Sequence, residues 1–338
     1  MTRNVIVLGA AHPHVLSLAQ AAATSNQLRL IGLYDEDPTV RQKAADHLDV
    51  PKFDRLDVAL RAEPSLALIG AVPRLRTALA EHAVAAGAAV LCDKPIALNL
   101  AQLTRLQDAH RQYGKPIITY HPYRGTPKIR AARDAFAAGK IGQLVRVFAS
   151  GPHQLHPVMR PPWHWTQSDN GGLIIDIGTH AIDLCCWLAG CDPVWINARH
   201  GNWSQPDHCQ FQDFAMIQMR FASGVLANVE ADWLASESLK TFGDGRLWIQ
   251  GTAGKIEVYQ GDEPHARIWT DQSAGNDLDT SVYPTVDQWT RRLIENLATD
   301  HSGDMNQNDI WRTIRTVLCA FDSAKASGQT WQANRTET

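Results

Sequence analysis

Short, almost wholly apolar runs alternate with longer amphipathic stretches through the first third of the chain, and this alternation restricts the fold more than any other feature. The runs at 4–9, 28–34, 66–72, 88–92 and 116–120 are rich in Val, Ile, Leu and Ala and read as strands. The stretches at 15–25, 39–48, 75–86 and 100–113 carry apolar residues at helical spacing. Strands that are apolar at nearly every position are buried on both faces, which calls for a parallel sheet covered by helices on each side. Right-handed crossovers then give a doubly wound, Rossmann-type α/β domain, expected over 1–121.

The pattern changes after His121-Pro122-Tyr123-Arg124. A helix is expected over 127–138, then a strand over 143–150 and a loop rich in His, Pro and Trp over 151–170. Alternating segments follow at 195–199, 214–221, 225–233, 246–250 and 254–259, separated by glycine-containing turns such as Ala222-Ser223-Gly224. Two helices, over 285–298 and 308–327, close the chain. Residues 122–338 therefore read as a second α/β domain with a largely antiparallel open sheet, and a length of 338 residues suits two domains.

With 44% hydrophobic and 20% charged residues and a net charge of −3, the chain has the balance of a globular protein, and nucleic acid is not an expected partner. The apolar opening at 5–8 stops too early for a signal peptide. No later run is read as long enough to span a bilayer, so a cytoplasmic protein with no membrane partner is expected. Six cysteines form no C-x-x-C pair and read as reduced thiols. The sequons at Asn202-Trp203-Ser204 and Asn334-Arg335-Thr336 have no consequence in that compartment.

Chemistry concentrates at four places. The first strand runs into Gly9-Ala10-Ala11-His12-Pro13-His14 and a helix, the position of a phosphate-binding turn; only its first glycine is present, with Ala11 and His14 where the second and third would stand. Asp35 ends the second strand, where a carboxylate binds the ribose hydroxyls of an adenosine; with Glu36 and Asp37 beside it and no adjacent arginine, NAD is favoured over NADP. Another strand ends in Cys92-Asp93-Lys94-Pro95, so Lys94 stands beyond the carboxyl end of a parallel strand, where such sheets bind ligands. Lastly, Gly171-Gly172 precede Asp176, His180 and Asp183, which share one face if the segment is α-helical: a carboxylate–imidazole pair suited to proton transfer.

Together these pieces resemble the glucose–fructose oxidoreductase, inositol dehydrogenase and rhizopine-catabolism (Gfo/Idh/MocA) family. Asp93-Lys94-Pro95 stands in place of the commoner Glu-Lys-Pro, and Gly139-Lys140-Ile141-Gly142 precedes the first strand of the second domain. Val72-Pro73-Arg74-Leu75-Arg76-Thr77 departs from the family's Thr-Pro-Asn-x-x-His. The resemblance implies an NAD-dependent dehydrogenase acting on a CH–OH group of a sugar, polyol or sugar derivative. It further implies a catalytic set of Lys94, Asp176 and His180, and a homodimer or homotetramer formed through the second domain's sheet. Cofactor contacts are expected from Gly9, Ala11, His12, Pro13, His14, Asp35, Pro73, Arg74 and Lys94.

Sugar rings need hydrogen-bonding groups around them and flat apolar surfaces beneath, and His121, Arg124, His153 and Trp163 are the expected substrate contacts. Two further readings stand beside the dehydrogenase. One is a metal-dependent or NAD-assisted lyase, isomerase or hydrolase of carbohydrates; the other is a non-catalytic sensor of nucleotide or sugar on the same fold. No H-x-x-E-H or H-E-x-x-H set occurs, so no metal site is expected.

Overall fold

The computed structural model describes residues 2–333, so the second sequon, at Asn334, lies outside the described residues. The chain forms two compact units, 2–122 with 168–170 and 286–311, and 123–167 with 171–285 and 312–333.

The first unit is built on five strands, β1 (Arg3–Leu8), β2 (Leu28–Tyr34), β3 (Leu66–Ile69), β4 (Ala89–Cys92) and β5 (Ile117–Thr119). They are all parallel, in the order β2-β1-β3-β4-β5. Helices α1 (His14–Ala23), α2 (Pro38–Leu48), α3 (Leu56–Leu60), α4 (Pro73–Ala85) and α5 (Leu100–Tyr113) make the connections. Burial accounts for the continuous apolar runs: Val5 to Leu8, Leu66 to Ile69 and Ala89 to Cys92 have no exposed surface. Each large side chain so buried is worth about 1.5–3 kcal/mol. Strand order reverses between β1 and β3, and ligands of such sheets bind at that switch point.

Gly9 shows how tight that point is. Its φ is 81°, and a Cβ there would lie 2.2 Å from Cβ of Ala71, so only glycine fits.

A late helix, α9 (Val286–Leu297), also belongs to the first unit. It buries Trp289, Leu293, Ile294 and Leu297 and packs on α1, and Ser25 Oγ donates to Glu295 Oε1 at 2.7 Å. The expected second domain, 122–338, assigned this helix elsewhere. An amphipathic period shows that one face is apolar but not which surface that face will cover.

The second unit carries β6 (Leu144–Pro152), β7 (Pro193–Gly201), β8 (Phe214–Phe221), β9 (Leu226–Asp232), β10 (Arg246–Gly251), β11 (Gly254–Tyr259), β12 (His265–Thr270), β13 (Ser273–Asp277) and β14 (Trp331–Gln332). The sheet order is β13-β12-β11-β10-β6-β9-β8-β7-β14. Every pairing is antiparallel except β6 with β9. One face is covered by α6 (Pro127–Ala137), against β11 and β12, and by α8 (Thr179–Ala189), against β6 and β9. Strand alternation follows: β8 buries Ala215, Ile217, Met219 and Phe221 and exposes Met216, Gln218 and Arg220. Strands β12 to β14 are additions to the sequence expectation.

Remaining helices are the short α7 (Gln167–Asn170) and α10 (Gln307–Lys325), within which the chain passes from the first unit to the second. One expectation is corrected here. The helical run Gln167–Ala189 is long and apolar enough to cross a membrane, but 83% of its most apolar stretch is buried inside the protein, as in a core helix.

Candidate active site

The turn after β1 holds its shape through backbone contacts. Gly9 N–H donates to the Tyr34 carbonyl at 2.6 Å and His12 N–H to the Gly70 carbonyl at 2.9 Å. Ala11 and His12 are half-buried, and Pro13, at the N-cap of α1, offers no side-chain acceptor to the helix's first amides. Asp35 is 5% exposed and joins β2 to the turn: Oδ2 accepts from Ala10 N–H at 2.7 Å and Oδ1 from Asp37 N–H at 2.9 Å. Burial raises its pKa, and the two amide donors oppose the shift.

No arginine adjoins Asp35 in sequence, but two approach the Asp35–Glu36 segment in the fold. Arg41 Nη1 donates to the Asp35 carbonyl at 2.8 Å, and Arg74, exposed at the start of α4 after the buried Pro73, pairs with Glu36 at 3.3 Å and Asp169 at 3.0 Å. Folding brings these together from α2 and α4, beyond what adjacency in sequence reveals.

At the end of β4, Lys94 is 4% exposed and its peptide bond to Pro95 is cis. Asp93, fully buried, is the hub of this corner. His12 Nδ1 lies 3.0 Å from its Oδ2, His14 Nδ1 3.0 Å from its Oδ1, and Arg76 Nη2 3.2 Å from its Oδ2. Burial alone raises the Asp93 carboxyl, yet His12, His14 and Arg76 hold it well below the usual carboxylate range. Burial holds His12 below its ordinary value against the pull of Asp93.

Arg76 has no exposed surface and donates to the carbonyls of Ala71 at 2.7 Å, Asp93 at 2.9 Å, Lys94 and Pro95, while Thr77 Oγ1 donates to the Ile96 carbonyl at 2.7 Å. These two residues fasten the Lys94 segment to α4. Sequence reasoning passed over Arg76; the signal was an arginine inside a helix whose same-face positions, Val72, Pro73, Leu79 and Ala80, are all apolar. His121, 1% exposed, lies in the same unit after Tyr120, whose hydroxyl pairs with Thr290 Oγ1 at 2.8 Å.

In the second unit Gly171 and Gly172 have φ of 90° and 87°, and a Cβ on Gly172 would lie 2.4 Å from Gln212 Oε1. The helical segment after them begins as a π-helix, Ile174–Gly178, before continuing as α8. The α-helical register assumed between Asp176 and His180 is thereby corrected: a widened turn absorbs an extra residue, a feature that recurs at functional sites.

His180 is 4% exposed, with the Tyr123 ring 5.1 Å away and the His153 ring stacked nearly parallel at 6.1 Å. His153 Nδ1 lies 3.0 Å from the Gly151 carbonyl, which makes Nδ1 a donor. Burial pushes the Tyr123 phenol up to about 12. Arg160 interacts with Asp176, lies 4.5 Å over the Trp233 ring and donates to the Leu155 carbonyl at 2.6 Å. Trp233 and Phe242 flank His153 at 5.7 and 5.4 Å, and neither was signalled by sequence.

One expected substrate contact is placed otherwise. Arg124 is 1% exposed, its guanidinium forked onto Asp183, which also accepts from Thr313 Oγ1 at 2.8 Å. Trp163 is half-buried with its ring edge-on to its neighbour His164, 6.2 Å away.

A doubly wound parallel sheet with an acidic β2 terminus beside a glycine turn, followed by an open mixed sheet, is a two-part architecture whose first part has the form of a dinucleotide-binding domain. Comparison with known proteins agrees. Residues 3–121 match the oxidoreductase family, NAD-binding Rossmann fold, and residues 129–257 match the GFO/IDH/MocA C-terminal domain. The chain belongs to the GFO/IDH/MocA family.

It is 31% identical to a 1,5-anhydro-D-fructose reductase from Ensifer adhaerens, over 52% of this chain and 50% of that one. It is 26% identical to inositol 2-dehydrogenase 2 from Saccharopolyspora erythraea, over 68% and 66%. The matches thus span about half to two thirds of those relatives. The solved structure of a putative oxidoreductase from Erwinia carotovora atroseptica superposes with a TM-score of 0.86 at 22% identity, covering 96% of this chain and 99% of that one, which establishes the fold.

Proposed function

We propose that the chain is an NAD-dependent dehydrogenase that oxidises a secondary alcohol, or reduces the corresponding ketone, of a sugar, an inositol-like polyol or a sugar derivative. The observation that carries this reading is Lys94, an ammonium at 4% exposure beyond the carboxyl end of a parallel strand in an NAD-binding unit. Similarity to a 1,5-anhydro-D-fructose reductase and to inositol dehydrogenases supports the substrate class.

The residues present fit the dinucleotide. Gly9 permits the tight turn between β1 and α1 against Ala71, Pro13 leaves the N-cap of α1 without a capping side chain of its own although His12 Nδ1 accepts from His14 N–H at 3.4 Å, and Asp35 offers a buried carboxylate to a ribose diol. Ala11, His12, Pro13, His14, Pro73 and Arg74 complete the proposed cofactor contacts. When bound, NAD supplies the nicotinamide that exchanges hydride with the substrate carbon.

Lys94 donates a hydrogen bond to the reacting oxygen, His180 exchanges the hydroxyl proton, and Asp176, whose charge interacts with Arg160, orients or neutralises the substrate-binding groups. His121, His153 and Trp163 are the proposed sugar contacts, with Tyr123 and Arg160 added from their places around His180 and Asp176.

A homo-oligomer is proposed through the uncovered face of the nine-stranded sheet, which exposes Trp248 at 39%, Met216 at 45% and Leu226 at 50%, with Phe148 packed on Trp248 at 5.0 Å. Six free thiols favour a reducing, cytoplasmic setting. Titration with NAD(H) and NADP(H), then a screen of sugars, inositols and sugar acids at the reduced-nicotinamide absorbance band, tests the function; failure of both nucleotides to bind refutes it.

A further inference from the structure

His12, His14 and Asp93 converge although 79 residues separate His14 from the carboxylate. Absence of a metal-binding helix motif in the sequence did not bear on them, because their third member arrives from the end of β4. One donor atom from each lies within 4.8 Å of the other two, and each imidazole presents its Nδ1 to a different oxygen of the same carboxylate at 3.0 Å. The two rings stand edge to face, 4.4 Å apart at 72°, with Pro13 fixing the backbone between them.

We propose that His12, His14 and Asp93 form a binding site for a divalent first-row transition ion, zinc or cobalt in class. Bonds of about 2.0–2.2 Å to imidazole nitrogen and carboxylate oxygen put neighbouring ligands of a tetrahedral ion about 3.3–3.5 Å apart. The two nitrogen–oxygen separations are within a few tenths of an ångström of that, and the two imidazole donors lie within 4.8 Å of each other. Two imidazoles and one carboxylate are donors that suit zinc, cobalt or iron(II) rather than magnesium or calcium, which prefer all-oxygen sets.

Asp93 is already oriented for this role. Arg76, itself held by four backbone carbonyls, grips Oδ2 from behind, the kind of outer partner that positions a ligating carboxylate. On the open side the His14 side chain is 45% exposed and borders a cavity of about 610 Å³ lined also by Ser17, Gln20, Tyr120, Thr290 and Arg291. Of the three ligands only His14 borders that cavity, so a water or other oxygen donor completing the coordination, as in sites with three protein ligands, would enter from the His14 side. The ion would lie at the turn assigned above to the cofactor phosphates, yet the inference needs no nucleotide.

The test is titration of chelator-stripped full-length protein with zinc against a chromophoric chelator, and with cobalt by visible absorption, both without nucleotide. One equivalent per chain and an intense, low-symmetry cobalt band are expected, with affinity at least tenfold weaker in His14→Gln and in His12→Gln, both at partly exposed positions. Asp93→Asn should abolish the cobalt band in protein whose circular dichroism is unchanged. No stoichiometric binding, or binding equal in wild type and both histidine variants, overturns the site. Either result leaves the nucleotide titration, which tests the dehydrogenase, independent.

Discussion

Asp183 receives Arg124 through both arms of the guanidinium, Nε to Oδ2 at 2.8 Å and Nη2 to Oδ1 at 2.7 Å, in a place where each side chain is 1% exposed. Removing one partner strands a buried charge, so Asp183→Asn is expected to destabilise the protein by about 3–5 kcal/mol. The double replacement Arg124→Met/Asp183→Leu should recover most of that loss. Urea denaturation measures both, and a single-variant cost below about 1 kcal/mol would show that the pair is not holding the 123–125 segment to α8.

The thiols should divide sharply by place. Cys92, Cys185, Cys186 and Cys319 are buried, and burial pushes Cys92 far above the thiol range and Cys186 and Cys319 up to about 12. Thiolate is the reactive form, so these four are expected to resist a disulfide reagent at pH 8 until the protein unfolds. Cys209, exposed, should react first and half-buried Cys191 more slowly. Mass mapping of labelled peptides reads the order.

Asp35 carries a pH dependence of definite sign. Its folded pKa is raised, so its contribution to stability is present below the unfolded value and lost as pH rises through the folded one. At neutral pH the buried carboxylate therefore costs stability relative to its protonated form, whereas Asp35→Asn also replaces one acceptor oxygen by an NH2 facing Ala10 or Asp37 N–H and should melt lower than wild type. The same variant should bind NAD more weakly by about tenfold to a hundredfold, the worth of a charged hydrogen bond. In wild type the affinity should begin to fall at a higher pH than an ordinary Asp would give as the solution is acidified. Calorimetric titration across pH, with a flat profile in Asp35→Asn, checks this.

Much of this was legible because it is local. The apolar runs of β1, β3 and β4 could only be strands buried on both faces, and Gly9, Asp35 and Lys94 stand at strand ends wherever the sheet is parallel. What escaped was non-local or three-dimensional. Asp93 gathers His12, His14 and Arg76 from three segments; α9 covers α1 from the far end of the chain; and the π-turn at Ile174–Gly178 has the same residue pattern as an α-turn. Arg124 reads as a loop arginine by its neighbours, and only folding shows that Asp183 and Thr313 enclose it.

If the uncovered sheet face joins two copies, charge placed at its centre should separate them. Trp248→Glu with Leu226→Lys alters two outward side chains and leaves the buried residues of β9 and β10 in place. Light scattering after size exclusion should report a smaller mass for the double variant than for wild type, with an unchanged far-ultraviolet spectrum. A wild-type monomer at micromolar concentration would refute the assembly.

The catalytic assignment separates binding from turnover. His180→Ala removes the proposed proton acceptor but no proposed nucleotide contact, so kcat is expected to fall about 10²–10⁴-fold with the Kd for NAD unchanged within about twofold. Lys94→Ala should lower kcat by a similar factor and weaken NAD modestly, because its ammonium also stands among the proposed cofactor contacts. His153→Ala should instead raise KM more than it lowers kcat, since a ring stacked beside His180 at 6.1 Å is placed to hold a sugar rather than to move its proton. Steady-state kinetics with nucleotide titration distinguishes the three, and full activity in both His180→Ala and Lys94→Ala would remove the acid–base role from these residues.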